Sequence, residues 1–77
     1  MITVNDLFEK VQDKESFFIF TTALEKDFLN NQQEWENNTI NDFLESSIAW
    51  AKDTNFDIEQ NTWKQFAKFL YSGKFYE

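Results

Sequence analysis

The sequence predicts an all-α fold, a compact bundle of about four amphipathic helices in a single helical domain over residues 1–77. Three observations predict it. Apolar residues recur at helical spacing in four segments, polar connections separate these segments, and a capping residue precedes each helical segment. Ten Phe and three Trp supply the apolar area that so short a chain needs for a core, because it has no cysteine for disulfides.

The first helix is predicted to begin at Thr3, with Asp6 three residues later in the arrangement of a capping box, and Asp13 can cap the second. The apolar face of the first helix comprises Val4, Leu7, Phe8 and Val11. The second helix has a stripe of Phe17, Phe20, Leu24 and Phe28, broadened by Phe18, Ile19 and Leu29. Because the second helix is apolar over so much of its circumference, we expect it to be central.

A polar connection over residues 30–38, with Trp35 as its large apolar residue, leads to the third helix. Thr39 and Asp42 give this helix its own capping signal. Its predicted apolar face comprises Ile40, Phe43, Leu44, Ser47, Ile48 and Ala51, with Trp50 on the same side. We expect this face to pack into the core.

Asn61 or Thr62 is predicted to cap the last helix. Its apolar face comprises Trp63, Phe66, Ala67, Leu70 and Tyr71. Gly73 follows the last periodic residue, so we expect a left-handed glycine to end the helix there.

The composition argues against catalysis. Without His or Cys the chain cannot build Ser-His-Asp, Cys-His or most transition-metal sites, and a single glycine excludes Gly-rich phosphate loops. Paired carboxylates could still act as acid and base, but charged side chains are mostly solvated. Residues 53–59 resemble the start of an EF-hand loop only loosely, because Ile58 and Lys64 stand where that loop needs Gly and Glu. We therefore predict no catalytic residues, no metal, no cofactor and no enzyme activity.

The charge balance is acidic: fourteen acids against seven Lys, with no Arg, give a net charge of −7. This balance argues against direct binding to nucleic acid or to an anionic membrane, and it favours a basic protein partner. The N-terminus has no basic region followed by an apolar stretch, and the apolar run at residues 17–20 is too short to span a bilayer. We therefore expect a soluble protein located in the cytoplasm.

The acids are unevenly distributed, since residues 27–51 contain five of them and no Lys. The candidate partner-binding residues are these five acids and the aromatic residue among them: Asp27, Glu34, Trp35, Glu36, Asp42 and Glu45. In one interpretation they form a docking surface for a basic partner, anchored by an exposed Trp35. In the other, the acids favour the N-terminus of the third helix, Asn37 or Asn38 helps to cap it, and Trp35 fastens the connection to the core.

Part of the chain resembles a known family. The sequences Trp35-Glu36-Asn37 and Phe43-Leu44-Glu45, then Trp50, form its centre, and Trp63, Phe66-Ala67, Leu70 and Tyr76-Glu77 form its end. This pattern, WEN…FLE…W…W-x-x-FA-x-x-L…YE, is similar to that of a family of small bacterial helical domains of unknown function. The resemblance implies the helical fold and no particular activity.

We therefore expect a non-catalytic protein-binding module, of the kind found among immunity proteins and antitoxins, that neutralises a basic partner through its acidic surface. One alternative uses the same acids to mimic nucleic acid and so inhibit a DNA- or RNA-binding enzyme. The other alternative, a small enzyme, lacks a nameable nucleophile, base or cofactor motif.

Overall fold

The computed structural model describes residues 2–54 and 61–75, and these form four α-helices and one short 3₁₀-helix, with no strand among them. The α-helices are α1 (Val4–Glu9), α2 (Lys14–Asn30), α3 (Ile40–Asp53) and α4 (Thr62–Phe75). The 3₁₀-helix, Gln32–Glu34, lies in the connection between α2 and α3. The predicted all-α class and the order of the helices are confirmed.

Each α-helix begins after a residue whose side chain accepts a hydrogen bond from a backbone N–H of the first turn. The four capping residues are Thr3, Asp13, Thr39 and Asn61. At α1 the box is reciprocal: the Asp6 N–H donates to Thr3 Oγ1 at 3.1 Å, and the Thr3 N–H donates to Asp6 Oδ2 at 3.0 Å. These bonds satisfy amides that have no partner within the helix, so the local sequence fixes where each helix begins.

The central helix is α4, which contacts α1, α2 and α3. The prediction that α2 is central is wrong, because Phe18, Ile19 and Leu29, which broaden its apolar stripe, are exposed. The inward stripe of α2 is confirmed: Phe20 and Leu24 are buried, and Phe17 and Phe28 pack against the core. One side of α2 is therefore covered, by α1 and α4.

Aromatic contacts join these three helices. The Phe20 ring lies 5.7 Å from the Phe8 ring of α1 and 5.6 Å from the Tyr71 ring of α4, and Phe17 of α2 lies 5.3 Å from Trp63 of α4. Tilted and edge-on pairs at these distances add about 0.5–1.5 kcal/mol each beyond their buried area. The aromatic residues thus form a core that a chain of this size could not build from aliphatic residues alone.

Gly73 lies inside α4, and its φ is not positive. The prediction that it ends the helix in a left-handed conformation is therefore wrong. A β-carbon at this position would lie 2.6 Å from Phe43 Cε1 and 2.6 Å from Ser47 Oγ of α3. Gly73 is needed for the close approach of α3 and α4, and the helix continues to Phe75.

The face of α3 that packs on α4 is lined with small residues. Ser46 and Ser47 are buried, and the Ser47 hydroxyl donates to the Phe69 carbonyl of α4 at 2.9 Å. Three residues of the predicted apolar face point outward instead: Ile40, Leu44 and Ile48, which are 73%, 44% and 46% exposed. On α4, Phe66 is also exposed rather than in the core. Within the described ranges, no helix is long and apolar enough to cross a membrane.

Candidate docking surface

The connection between α2 and α3 closes the C-terminal end of α4. The Glu36 N–H donates to the Lys74 carbonyl at 3.1 Å, and the Asn37 side-chain amide donates to the Gly73 carbonyl at 3.1 Å. Carbonyls in the last turn of a helix have no partner within the helix, so these two bonds supply partners from another segment. The side-chain cap of α3 is Thr39, whose Oγ1 accepts from the Asp42 N–H at 3.1 Å, while the Asn37 amide N–H bonds to α4.

Trp35 is buried, with 7% of its surface exposed. Its ring lies edge-on to Phe28, with the ring centres 5.1 Å apart, and is stacked near Phe43 at 6.2 Å. The indole Nε1–H donates to Asp27 Oδ2 at 2.8 Å. The interpretation of Trp35 as an exposed anchor for a partner is therefore wrong, and the alternative, that it fastens the connection to the core, is correct.

Asp27 makes further bonds in addition to the one from Trp35. Its Oδ2 atom also lies 2.8 Å from Lys74 Nζ, and its Oδ1 accepts from the Asn31 amide at 3.1 Å. Burial by itself raises the pKa of Asp27, but the bonds from Lys74, Trp35 and Asn31 outweigh it and hold that pKa below the ordinary value of 3.8. Asp27 is thus ionised, neutralised by Lys74 and largely covered, so its assignment as a partner-binding residue is a second correction.

The other four acids are exposed. They are Glu34, Glu36, Asp42 and Glu45, which we call the acidic surface. Glu34 ends the 3₁₀-helix, Glu36 follows Trp35, and Asp42 lies in the first turn of α3. Glu45 lies one turn further, where it accepts from the Asn41 amide at 3.4 Å. Because the charge of Lys74 is paired with that of Asp27, Lys74 does not neutralise these four acids.

A groove of about 270 Å³ opens beside the acidic surface, between the end of α2 and the start of α3. Four apolar side chains line it, namely Phe28, Trp35, Ile40 and Phe43, together with Asn37, Asn38 and Thr39. Trp35 contributes to the wall of this groove and is held there by its hydrogen bond to Asp27. Trp35, which was predicted as an exposed anchor, is thus part of the wall of the groove.

Ile40 links the groove to an exposed strip along α3, which we call the α3 stripe and which comprises Ile40, Leu44 and Ile48. These residues are spaced four apart, so they lie in a row along the helix. Sequence reasoning missed the exposure of the stripe, because its spacing is that of a buried face. The available signal was the set of small residues Ser46, Ser47 and Gly73, which mark where α3 and α4 approach each other.

In the part of the chain that the structure describes, no three acidic side chains converge as a metal site would require. The loose EF-hand resemblance at residues 53–59 falls mainly on residues 55–60, outside the described ranges. Among the described residues, the candidate site is a surface with a groove and fixed charges.

The profile of a family of unknown function, DUF7660, matches residues 13–77, from the capping residue of α2 onward. No curated protein and no solved structure matches the chain.

Proposed function

The chain belongs to the DUF7660 family, which has no assigned function, and from its surface we propose that it is a non-catalytic protein-binding module for a basic partner. The observation that carries the proposal is the exposed apolar α3 stripe on the same helix as the exposed acids Asp42 and Glu45, in a chain with a net charge of −7. Apolar side chains exposed in a row and bordered by polar residues are typical of protein interaction sites.

The proposed mechanism has two parts. The field of the acidic surface attracts a partner rich in Lys or Arg and so accelerates the encounter. Contact at the apolar residues then slows dissociation. Charges on the rim of an interface contribute little affinity, and buried apolar side chains contribute most of it. Binding in this way covers a basic site on the partner, as immunity proteins and antitoxins do when they neutralise a target in the cytoplasm.

Mimicry of nucleic acid is the second use of the same charges, and we rank it lower. A mimic needs repeated negative charge, whereas here large aliphatic residues lie beside the acids. The two functions differ in a displacement assay: a mimic competes with an oligonucleotide for its target, and a protein-binding module need not.

The proposal is tested by affinity capture from a lysate of the source cell at low and at high salt. The wild-type protein is compared with a variant that carries Glu34→Gln, Glu36→Gln and Glu45→Gln. Asp42 is kept because it lies in the first turn of α3, where a negative charge stabilises the helix. We expect the wild type to retain one basic protein at low salt and to lose it at high salt, and the variant to retain little of it.

The matched control carries Glu9→Gln, Glu15→Gln and Glu25→Gln, three exposed acids on α1 and α2. Glu15 lies in the first turn of α2 as Glu34 lies in the first turn of the 3₁₀-helix, so each triple variant loses one acid from the start of a helix. Both triple variants change the net charge by the same three units, from −7 to −4. The control should retain the partner as the wild type does. Equal loss in both variants would mean that only total charge matters, and retention by both would remove the acidic surface from the account.

A further inference from the structure

We infer that the groove and the α3 stripe together form the docking site for a cationic amphipathic helix, and that the partner supplies the apolar side chain that anchors the complex. This inference rests on the proposed function and specifies the class of partner segment. The site combines the apolar groove, whose wall includes Trp35, with the exposed aliphatic residues of the α3 stripe and the acids Asp42 and Glu45 on the same helix.

The volume of the groove is sufficient for one inserted side chain. Ligand pockets usually enclose about 300–1,000 Å³, whereas a cavity of about 150 Å³ already holds a benzene ring. The groove, at about 270 Å³, is below the first range and above the second value. It therefore has room for one aromatic or aliphatic side chain inserted from a larger partner.

The length of the α3 stripe matches a helix. From Ile40 to Ile48 the backbone of α3 rises about 12 Å, at about 1.5 Å per residue, which is a little over two helical turns. A partner helix presents apolar residues at i, i+3 or i+4, and i+7 over the same distance, as in other complexes in which a helix binds a groove. One of these residues would enter the groove beside Ile40, and the others would cover Leu44 and Ile48.

The charge near the site selects a cation. Asn37, Asn38 and Thr39 at the groove are uncharged, and the charged side chains nearest in sequence are Glu36 and Asp42. Glu45 follows Leu44 directly and lies on the exposed side of α3. Lys74 Nζ lies 5.6 Å from the centre of the Trp35 ring, but its charge is paired with Asp27 at 2.8 Å. Along the chain after the stripe, the next basic residue is Lys52, one turn after Ile48. A helix with Lys or Arg beside its apolar row therefore meets opposite charges.

The same charges disfavour a second copy of this chain as the occupant. A two-fold interface brings the same patch of both copies together, so the acids of one would face those of the other. The cleft on the outer side of α2 is a weaker candidate for this partner, because it is lined by Lys26 as well as by Phe18 and Ile19. A cationic helix is thus the occupant that fits the groove, the row of apolar residues and the charge.

The test uses the full chain and three synthetic helical peptides of about 18 residues, a length at which a peptide can be partly helical in water. The first peptide has Leu at i, i+4 and i+7 and Lys beside these positions. The second has Ser in place of Leu, and the third has Glu in place of Lys. Binding is followed by NMR through the backbone amides of residues 36–48 and the indole N–H of Trp35, which Trp35→Phe identifies.

We expect the Leu–Lys peptide to bind at least about tenfold more tightly than the Ser peptide, because each buried Leu contributes at least a factor of this order. It should also bind more tightly than the Glu peptide, and it should shift the Trp35 indole signal. Ile40→Ser and Leu44→Ser should each weaken binding by about tenfold. Both residues are exposed, so the fold should survive these changes, and dispersed amide spectra verify that it does.

Ile19→Ser is the matched control, because Ile19 is 56% exposed but lies on the outer side of α2. It should leave the affinity unchanged. The inference is overturned if the Ser peptide binds as tightly as the Leu–Lys peptide, if neither binds, or if Ile19→Ser weakens binding as much as Ile40→Ser. Self-association of the protein that shifts the amide signals of residues 36–48 would also overturn the inference, because the occupant would then be a second copy of this chain.

These outcomes are separate from those of the proposed function. If the captured partner depends on the acidic surface but not on Ile40 or Leu44, the protein-binding function stands and the helix-binding site is wrong. If capture is insensitive to the acidic surface while the Leu–Lys peptide still binds at the groove, the proposed basic partner is wrong and the groove stands as a peptide-binding site.

Discussion

Gly73 of α4 lies against the Phe43 ring of α3 so closely that an added β-carbon would be 2.6 Å from Phe43 Cε1. This contact sets the separation between α4 and α3, the helix that carries the α3 stripe. It also explains a glycine inside a helix, where it costs about 1 kcal/mol relative to alanine.

Gly73→Ala should therefore destabilise the protein although it improves helix propensity. Overpacking costs about 1–3 kcal/mol, whereas the gain in helix propensity is about 1 kcal/mol. Chemical unfolding measures the net loss, which we expect to be up to about 2 kcal/mol. In a double-mutant cycle with Phe43→Leu, a smaller side chain should recover part of it. A more stable Gly73→Ala protein would show that α3 and α4 are further apart than the structure has them.

Trp35→Phe should separate the hydrogen bond of Trp35 from its packing. The substitution keeps an aromatic ring near Phe43 but removes the donor to Asp27, so we expect a loss of about 1.5–3 kcal/mol in the free energy of unfolding. Trp35→Ala should cost more, about 3–5 kcal/mol, because it also leaves a cavity. Trp63→Phe is the control, since Trp63 is only partly buried. Equal losses for Trp35→Phe and Trp63→Phe would contradict a structural role for the indole N–H.

Acid should destabilise the protein partly through Asp27. Since its pKa in the folded state is below the ordinary value, its contribution is present above pH 3.8 and is lost as the pH falls through the lower folded value. The capping bonds with Thr3 and Ser16 also lower the pKa of Asp6 and Asp13, so these residues add to the same trend.

Asp27→Asn should lower stability at neutral pH by about 2 kcal/mol, the value of hydrogen bonds to a charged group. It should also reduce the slope of stability against pH below 3.8, and urea unfolding at several pH values measures both effects. An unchanged slope would mean that Asp27 does not carry the acid dependence. Asp6 and Asp13 would then be the groups to substitute next.

Local sequence was enough to predict where the first three helices begin, and at the fourth it left Asn61 and Thr62 as alternatives. The capping residues Thr3, Asp13, Thr39 and Asn61 act within three residues of themselves, so their bonds do not depend on the rest of the fold. The all-α class follows from these caps and from the helical spacing between them. Local rules failed where the structure depends on contacts between helices.

Helical spacing places residues on a face but does not say which neighbour covers that face. Ile40, Leu44 and Ile48 have the spacing of a core face, yet α4 packs on the adjacent face through Ser46 and Ser47. Gly73 is a second example, because the residues that require a glycine there are Phe43 and Ser47 of α3 and not residues of its own helix.

The candidate site was predicted in part. Glu34, Glu36, Asp42 and Glu45 are exposed, as a docking surface requires, whereas Asp27 and Trp35 are held inside the fold. Asp27 is held inside the fold by its ion pair with Lys74, which lies 47 residues further along the chain. A count of charges within residues 27–51 could not include a lysine that only the fold brings to Asp27.

The most direct test of the account is the association rate of the captured partner, measured by stopped flow against ionic strength. The wild type should associate fast at low salt and slow steeply as salt is added, because exposed charges are screened. The variant with Gln at 34, 36 and 45 should associate slowly at low salt with a flatter dependence, and the variant with Gln at 9, 15 and 25 should resemble the wild type. Indistinguishable curves for the two variants would contradict the claim that the acidic surface is where the partner docks.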